Sequence, residues 1–361
     1  MSHEHINTDE RLLEQVDQVK RQRRQAGLSG LVGGLECVII NTEENRFEPA
    51  VKELLRYTGL DCSLAFQDTA RKVAVLQKQG SADFLITSGK PGVNPFAPFN
   101  QGPKSAHLPN TRLETLVFRT KDLAAYVDIQ KKRGKQFMTE EIIRAPHFSF
   151  IQSRPSPYTG NSLGFIEWHT QERNYMGTKA RSLDISFAKP DLPHLAHIGR
   201  LDHCATRVRA EERDKAILEF MDMTEYDFEF AIYVESLNSI TNVARLRLGE
   251  FAMVFTSGIA PFTDVDHSGP TELYIHNYGT RVHHMAFETD HIETTFQALK
   301  KDGMGFLVDL VGSPDQGLKQ TFSAMSPNTL LVNEYIHRYG DFTGFFTKSN
   351  VTMLTKATEK Q

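Results

Sequence analysis

The feature that most constrains the fold of this chain is an internal repeat. The segment "LECVII", an amphipathic stretch and then "DCSLAF" return later as "LDHCAT", a second amphipathic stretch and "DFEFAI". His203 lies 166 residues after Cys37, and Thr224 lies 166 residues after Thr58, so the two copies keep one register. A repeat with a fixed spacing indicates duplicated structural units, which predicts that the chain folds as two related halves.

A second pair of segments extends the repeat. "ETLVFRTKDLAAYVDIQKKRGKQF" begins at Glu114, and the similar "HHMAFETDHIETTFQALKKDGMGF" begins 169 residues later at His283. "GFIEWH" then matches "VNEYIH", which aligns Glu167 with Glu334. Each half therefore contains two units of a strand, a helix and further strands. This order predicts an α+β fold with two tandem, pseudo-symmetric halves.

The repeat also sets the expected domain boundaries. Apolar residues at helical spacing in "DERLLEQVDQVKRQRRQ" predict a packing helix near the N-terminus. The prolines of "KPDLP" predict a linker between the halves, and the proline-rich stretch 91–109 predicts a long loop. We predict an N-terminal helical arm (1–30), a first half (31–172), a linker (173–198) and a second half (199–361). In the second half we expect helices near 210–223 and 290–302, and strands near 201–208, 226–234, 239–247, 251–257, 282–288, 318–325 and 329–337.

Composition excludes several classes of protein. The 361 residues carry 41 basic and 45 acidic side chains, a net charge of −4, which argues against a nucleic-acid-binding protein. No run of eighteen apolar residues is present, so we expect no membrane span. The three cysteines are far apart and odd in number, which indicates no disulfide framework. With a polar N-terminal stretch in place of a signal core, we expect a cytoplasmic protein.

Three residues of the second half form a candidate metal site. His203 and His284 lie on strands that the repeat makes equivalent, and Glu334 lies on the last strand. Two imidazoles and one carboxylate are the facial triad that binds Fe(II) and leaves three coordination positions open. A single histidine on a strand is usually a core or surface residue, so the joint placement of all three carries the hypothesis. At the equivalent positions the first half has Cys37, Thr115 and Glu167, so we expect iron in the second half only.

His283 and His284 are adjacent, so the sequence leaves open which one is the ligand. Neighbouring residues of a strand point to opposite faces, so we expect only one of the two to face the metal.

The motifs around these residues resemble the family of 4-hydroxyphenylpyruvate dioxygenase and hydroxymandelate synthase, in the vicinal-oxygen-chelate superfamily. "LDHCATRV", "RVHHMAFETDHI" and "NEYIHR", followed by "FFTKSNVTMLTKATE", occur in the family's order and near its spacing. The resemblance is best over 199–359. It implies four βαβββ units, each half an open β-barrel, in a homodimer or homotetramer. It further implies Fe(II) bound by His203, His284 and Glu334, acting with O2 on a 2-oxo acid by oxidative decarboxylation and hydroxylation.

The resemblance extends in part to the substrate pocket. Carried over from the family's motifs are the candidate catalytic residues Gln320 and Asn350 and the candidate substrate contacts Ser239, Gln320 and Phe322. Other positions depart from the family pattern: Thr256, Gly269, His283 and Val351 stand where it has asparagine, glutamine, glutamine and phenylalanine. His283 stays a candidate substrate contact because of its place beside the metal ligand. These departures predict a pocket that does not bind a phenol as the family does.

Strand alternation adds further candidates. Arg207 shares a strand face with His203, and Arg245 shares one with Ser239. An arginine that points into the pocket favours an anionic substrate group through paired hydrogen bonds. An arginine at a strand end more often reaches solvent, and the sequence does not decide between the two. Phe322 and Phe346 are candidate walls of the pocket, although ordinary core aromatics fit equally well.

Two other functions remain open at this point. An extradiol ring-cleaving dioxygenase uses the same units and a similar triad, and His283 could supply its acid or base. Another iron oxygenase of the superfamily could act on a non-phenolic substrate. A non-enzymatic binding or resistance protein would need no triad, so the retained histidines and glutamate argue against it.

Overall fold

The computed structural model describes residues 6–89, 94–340 and 342–361. An N-terminal helix, α1 (Asp9–Gln25), precedes two mixed β-sheets, one in each half of the chain. None of the helices in the described ranges is both long enough and apolar enough to cross a membrane.

The first half contains two βαβββ units. Its strands are β1 (Val32–Thr42), β2 (Asp61–Gln67), β3 (Arg71–Gln77), β4 (Asp83–Gly89), β5 (Arg112–Thr120), β6 (Ile143–Arg144), β7 (Phe148–Gln152) and β8 (Ser162–Trp168), and its helices are α2 (Phe47–Tyr57) and α3 (Leu123–Lys132). The sheet order is β6-β7-β8-β5-β1-β4-β3-β2, so the two units join through their first strands, β1 and β5. The linker adds a ninth strand, β9 (Arg181–Ser182), at the edge beside β2.

The second half repeats this plan. Its strands are β10 (Ile198–Arg207), β11 (Asp227–Val234), β12 (Ser239–Arg245), β13 (Ala252–Ser257), β14 (Arg281–Thr289), β15 (Val311–Ser313), β16 (Leu318–Phe322) and β17 (Val332–Arg338), and its helices are α4 (Arg213–Met223), α5 (Pro270–Tyr278), α6 (Ile292–Lys301) and α7 (Lys348–Ala357). The order is β11-β12-β13-β10-β14-β17-β16-β15, and β10 pairs antiparallel with β14. The predicted α+β fold of two pseudo-symmetric halves is therefore confirmed.

Helix α5 was not predicted. Gly269 precedes it and Pro270 occupies its first turn, which is a common way for a helix to begin. Its polar residues Thr271 and Glu272 are buried together with its aromatic ones, so the helix has no clear polar face. A pattern that looks for one polar and one apolar face does not detect such a helix. Of the predicted loop 91–109, residues 91–93 lie outside the described ranges, and a short 3₁₀ turn (Ala97–Phe99) interrupts the rest.

One apolar core joins the two halves. Phe84 of the first half stacks on Phe287 of the second, with ring centroids 5.9 Å apart. Phe118 packs edge-on against Phe220 at 5.8 Å, and all four side chains are buried. Helix α1 closes this assembly because Arg23 donates hydrogen bonds to backbone carbonyls at the end of α4 and beyond it. Burial of this much aromatic surface fixes the second sheet against the first.

Two repeat-related arginines show the pseudo-symmetry directly. Arg112 donates to the carbonyl oxygen of Thr280 at 3.1 Å, and Arg281 donates to the carbonyl oxygen of Thr111. Arg281 lies 169 residues after Arg112, and Thr280 lies 169 residues after Thr111, which is the spacing of the repeat. The two halves therefore hold each other through reciprocal contacts of fully buried side chains.

Candidate metal centre

His203, His284 and Glu334 come together on three adjacent strands. They lie on β10, β14 and β17, and Ala286 of the middle strand pairs with both His203 and Glu334. Because alanine is small, the side chains from the two outer strands can meet above it. Glu334 Oε2 lies 3.0 Å from His203 Nε2 and 3.3 Å from His284 Nε2. All three residues are buried, and one ligand atom from each lies within 4.8 Å of the others.

The geometry of these atoms fits a metal ion. His203 Nε2 is buried and has no hydrogen-bond partner, although the Glu334 carboxylate is 3.0 Å away. A buried imidazole nitrogen without a partner costs free energy unless something else satisfies it. Two imidazole nitrogens and one carboxylate oxygen are the donor set of non-haem Fe(II) sites. No other group of three or more histidine, cysteine or acidic side chains with this proximity occurs in the described part of the chain.

His203 is held from behind by a carboxylate. Its Nδ1 lies 2.7 Å from Asp202 Oδ2, and Arg338 donates to Asp202 at 2.6 and 3.1 Å. Burial disfavours the imidazolium, but the Glu334 and Asp202 carboxylates outweigh it and raise the pKa of His203 to about 9. Burial also opposes the charge of Asp202, yet His203 and Arg338 bring the pKa of its carboxyl below the usual range. The Asp202 hydrogen bond orients the ring so that Nε2 points at Glu334 and His284, where a bound metal would replace the Nε2 proton.

We predict that Asp202→Asn weakens iron binding about 10- to 100-fold, the usual cost of losing a partner behind a metal ligand. The asparagine lacks the charge that fixes the His203 tautomer and pairs with Arg338. Iron affinity is measured by competition with a chelator. Glu288→Gln is the matched control because it removes another strand carboxylate, 2.7 Å from Arg200, without touching the triad. Equal affinity in wild type and Asp202→Asn would show that the contact is not needed.

Glu334 is held by a chain of two amides. Gln320 Nε2 donates to Glu334 Oε1 at 2.5 Å, and Asn350 Nδ2 donates to Gln320 Oε1 at 3.0 Å. Both amides are buried, and neither lines the cavity beside the triad. The structure therefore places these two candidate catalytic residues behind the carboxylate, where they orient it and leave Oε2 for the metal.

His283 lies beside His284 and sets its tautomer. Its Nε2 is 2.7 Å from Gln361 Oε1, and its Nδ1 is 2.8 Å from His284 Nδ1. Burial lowers the pKa of both imidazoles well below the ordinary value, so both rings are neutral. An N–H donated to the Gln361 oxygen leaves His283 Nδ1 as an acceptor for the His284 Nδ1–H. His284 Nε2 then carries the free lone pair that a metal needs.

The first half has no equivalent of the triad. The strand pairings confirm that Cys37 and Thr115 occupy the places of His203 and His284. The predicted alignment of Glu167 with Glu334 is wrong: Glu334 pairs with Ala286, and the matching partner of Val117 is Gly164.

Side chains fill the space that the triad takes in the second half. A Cβ at Gly164 would lie 2.9 Å from the rings and methyls of Phe150 and Val117. Glu167 accepts a hydrogen bond from the backbone N–H of Leu123 and so caps helix α3. The connection before the last strand has the same length in both halves (153–161 and 323–331), so the misalignment came from matching the two glutamates by residue type.

A small cavity adjoins the triad. It has a volume of about 40 Å³ and reaches His284 and Glu334. Its wall also contains Arg207, Thr241, Val254, Thr256, Phe322, Phe346, Val351, Leu354 and Thr355. The phenylalanines stand close to the ligands, with Phe322 4.7 Å from the His284 ring and Phe346 5.2 Å from the His203 ring. Both therefore lie where the sequence placed the pocket walls.

The remaining candidates lie apart from this cavity. Ser239 Oγ is 3.2 Å from Thr271 Oγ1, and neither residue lines the cavity. Arg245 forms a two-pronged ion pair with Glu229 and lies over the ring of Phe345, so the structure does not bring it to the cavity wall. Gly269 lies at the start of α5, where a Cβ would meet the Leu237 carbonyl oxygen at 2.2 Å.

Sequence reasoning missed the supporting residues Asp202, Arg338, Thr271 and Gln361, and it also missed the cavity-wall residues Thr241, Val254, Leu354 and Thr355. For Asp202 a signal existed, since it directly precedes His203 in the motif. The Gly269–Pro270 step could have revealed α5 and with it Thr271. Arg338 and Gln361 gave no signal, because only tertiary packing brings them to the site.

Solved structures, rather than sequence families, show a similarity to this chain. No protein-family model and no curated protein matches the chain. A mutant of 4-hydroxymandelate synthase from Streptomyces coelicolor is similar at a TM-score of 0.66 and 16% identity, over 91% of this chain and 99% of that one. A xylose isomerase-like TIM barrel/4-hydroxyphenylpyruvate dioxygenase fusion protein is similar at a TM-score of 0.63 and 16% identity, over 96% of this chain and 57% of that one.

A glyoxalase is also similar in structure, at a lower TM-score. The Mn(II)-bound glyoxalase from Novosphingobium aromaticivorans is similar at a TM-score of 0.50 and 12% identity, over 86% of this chain and 83% of that one. The chain has the vicinal-oxygen-chelate fold. Its structural neighbours include hydroxymandelate synthase and a 4-hydroxyphenylpyruvate dioxygenase fusion. At this identity the likeness establishes the fold, and the activity has to be argued from the site.

Proposed function

We propose that the chain is an Fe(II)-dependent oxygenase that decarboxylates and hydroxylates a 2-oxo acid, with its reaction centre in the second half. The observation that carries this proposal is the unpartnered, buried His203 Nε2 facing Glu334 and His284 Nε2. The likeness to the two oxygenases supports it through the fold. The cytoplasmic location and the homodimer or homotetramer stay predictions.

The bound iron would supply chelation of the oxo acid and activation of O2, and His203, His284 and Glu334 would hold it. The other side chains prepare the site. Asp202 and His283 fix the tautomers of the two histidines, and Gln320 keeps one carboxylate oxygen of Glu334 occupied. Phe322 and Phe346 exclude water from the reacting carbon. In the overall reaction O2 adds one oxygen to the new carboxylate and one to the hydroxylated carbon, while the original carboxylate leaves as CO2.

The test is the release of CO2 from a 2-oxo acid. The purified chain is given Fe(II), O2 and a series of 2-oxo acids, and CO2 and O2 are measured together. The proposal expects equal amounts of CO2 formed and O2 consumed with at least one acid, and none without iron. Cleavage of a catechol without CO2 would favour the extradiol alternative, and absence of both reactions with iron bound would contradict an oxygenase.

We predict that 4-hydroxyphenylpyruvate is converted poorly. A buried phenol hydroxyl left without its hydrogen-bond partners costs about 1–3 kcal/mol. One lost contact therefore weakens the preference for the phenolic substrate roughly tenfold. Thr256 and Val351 line the cavity in place of the family's amide and phenyl side chains, and Gly269 offers no side chain. Steady-state kinetics comparing this acid with aliphatic 2-oxo acids checks the prediction. Efficient formation of homogentisate would show that other residues bind the phenol.

A further inference from the structure

Arg207 is a buried cation without an acidic partner. It lies on β10 and shares the face of His203, four residues along the strand. Only 4% of its surface is exposed, and no carboxylate of the described residues lies within ion-pairing distance. A buried charge is costly unless it is paired, so an unpaired arginine here requires an explanation.

The protein contacts of Arg207 leave donors free. Two of its nitrogens donate to the neutral hydroxyls of Thr271 and Thr358, at 2.7 and 3.2 Å. Its Nε is buried and has no partner, and the guanidinium lies 5.2 Å from the centre of the Tyr274 ring. Burial lowers the pKa of Arg207 to about 10, which still leaves it charged at neutral pH.

The nearest acid that influences Arg207 is already engaged. Glu272 Oε1 accepts hydrogen bonds from the backbone N–H groups of Ala210 and Gly258, each at 3.0 Å. Burial raises the pKa of Glu272 to about 7, so part of it is uncharged at neutral pH. Glu272 therefore uses Oε1 for backbone groups, and no ion pair joins it to Arg207.

Arg207 and the triad share one cavity. Of the described residues that line it, Arg207, His284 and Glu334 are the ionisable ones. Iron would bring two positive charges and Glu334 one negative charge, and Arg207 adds a further positive charge. One substrate carboxylate neutralises the metal, and the charge of Arg207 remains. A second anionic group on the same substrate would balance it.

We propose that Arg207 binds a second anionic group of the substrate, so that the 2-oxo acid is a dianion such as a 2-oxo dicarboxylic acid. This inference rests on the proposed function, because it assigns the far end of a substrate whose 2-oxo end meets the metal. The cavity of about 40 Å³ holds little more than one water molecule, whose share of liquid volume is about 30 Å³. A compact aliphatic acid therefore displaces less of the wall than an aromatic one.

The experiment compares two acids of the same length that differ in the charge of the tail. Binding of 2-oxoglutarate, a dianion, and of 2-oxopentanoate, a monoanion, is measured by calorimetry on the Fe(II)-loaded protein under nitrogen, where no turnover occurs. We expect the wild type to bind the dianion at least tenfold more tightly, because hydrogen bonds between charged groups are the strong ones. Arg207→Gln should bring the two affinities to within about twofold.

A matched control and a second variant complete the test. Arg209→Gln makes the same change two residues on, at a side chain 55% exposed, and should keep the wild-type preference. If Arg207→Gln does not fold, Arg207→Lys decides: its single ammonium cannot make a two-pronged contact, so the preference should fall at least threefold.

The outcomes separate this inference from the proposed function. Equal binding of both acids by the wild type overturns the role of Arg207, as does an unchanged preference in Arg207→Gln or Arg207→Lys. Binding of neither acid overturns this inference alone, whereas failure to bind iron overturns the proposed function and this inference with it. Equal binding of both acids to the iron-loaded protein leaves the proposed function standing.

Discussion

Replacing His203, His284 or Glu334 by alanine is expected to remove bound iron and abolish turnover. Each variant leaves two ligands, and no second group of such donors occurs among the residues that the structure describes. Iron per chain is measured after desalting, and CO2 release is measured on the same samples. We expect about one iron per wild-type chain and almost none in the three variants.

His283→Gln is the control for these variants. A glutamine oxygen can accept the His284 Nδ1–H as His283 Nδ1 does at 2.8 Å, so the iron should stay. Loss of iron in His283→Gln with retention in His284→Ala would show that the neighbouring histidine is the ligand. Iron at wild-type occupancy in all three alanine variants would contradict the assignment of His203, His284 and Glu334 as the metal ligands.

Gly312→Ala is expected to lower the free energy of unfolding by about 2–4 kcal/mol, through backbone strain and overpacking. Gly312 has a φ of +87°, and a Cβ there would lie 2.1 Å from the carbonyl oxygen of Leu318. The same Cβ would lie 2.7 Å from Asn350 Nδ2, which donates a hydrogen bond to Gln320, the residue that holds Glu334. The variant should therefore lose stability and iron affinity together. Urea unfolding and chelator competition measure the two.

Gly303→Ala separates strain from crowding. Gly303 has a similar φ of +94°, but a Cβ there meets nothing within 4 Å. Its cost should be that of the backbone alone, about 1–2 kcal/mol, with iron affinity unchanged. If the two variants have the same free energy of unfolding and the same iron affinity, the close packing of Gly312 against Leu318 and Asn350 contributes to neither.

The repeat predicted most of the fold because strand and helix periodicities survive divergence. Helices α4 and α6 begin at Arg213 and Ile292, within a turn of the predicted starts. The pairing of Cys37 with His203 was also correct, since the first strands of both units keep their register. The alignment of Glu167 failed because it matched two glutamates by residue type, whereas strand pairing makes Gly164, three residues earlier, the equivalent of Glu334.

The candidate site was predictable only in its ligands. His203 and His284 stand out as unusual residues at repeat-related positions, and strand order brings them together. What surrounds them comes from distant segments, such as Thr271 on α5 and Gln361 after α7. The two arginine candidates show the limit clearly. Strand alternation placed each arginine on the same strand face as a predicted site residue. Arg207 nevertheless lines the cavity while Arg245 pairs with Glu229, because the partner of a side chain depends on tertiary contacts.

Anomalous diffraction at the iron edge, from crystals grown anaerobically with Fe(II), locates the metal directly. We expect one anomalous peak per chain, within bonding distance of His203 Nε2, His284 Nε2 and a Glu334 carboxylate oxygen. We expect none beside Cys37, Thr115 and Gly164 in the first half. A peak at another set of residues, or no peak between the side chains of His203, His284 and Glu334 in iron-saturated crystals, would contradict this expectation.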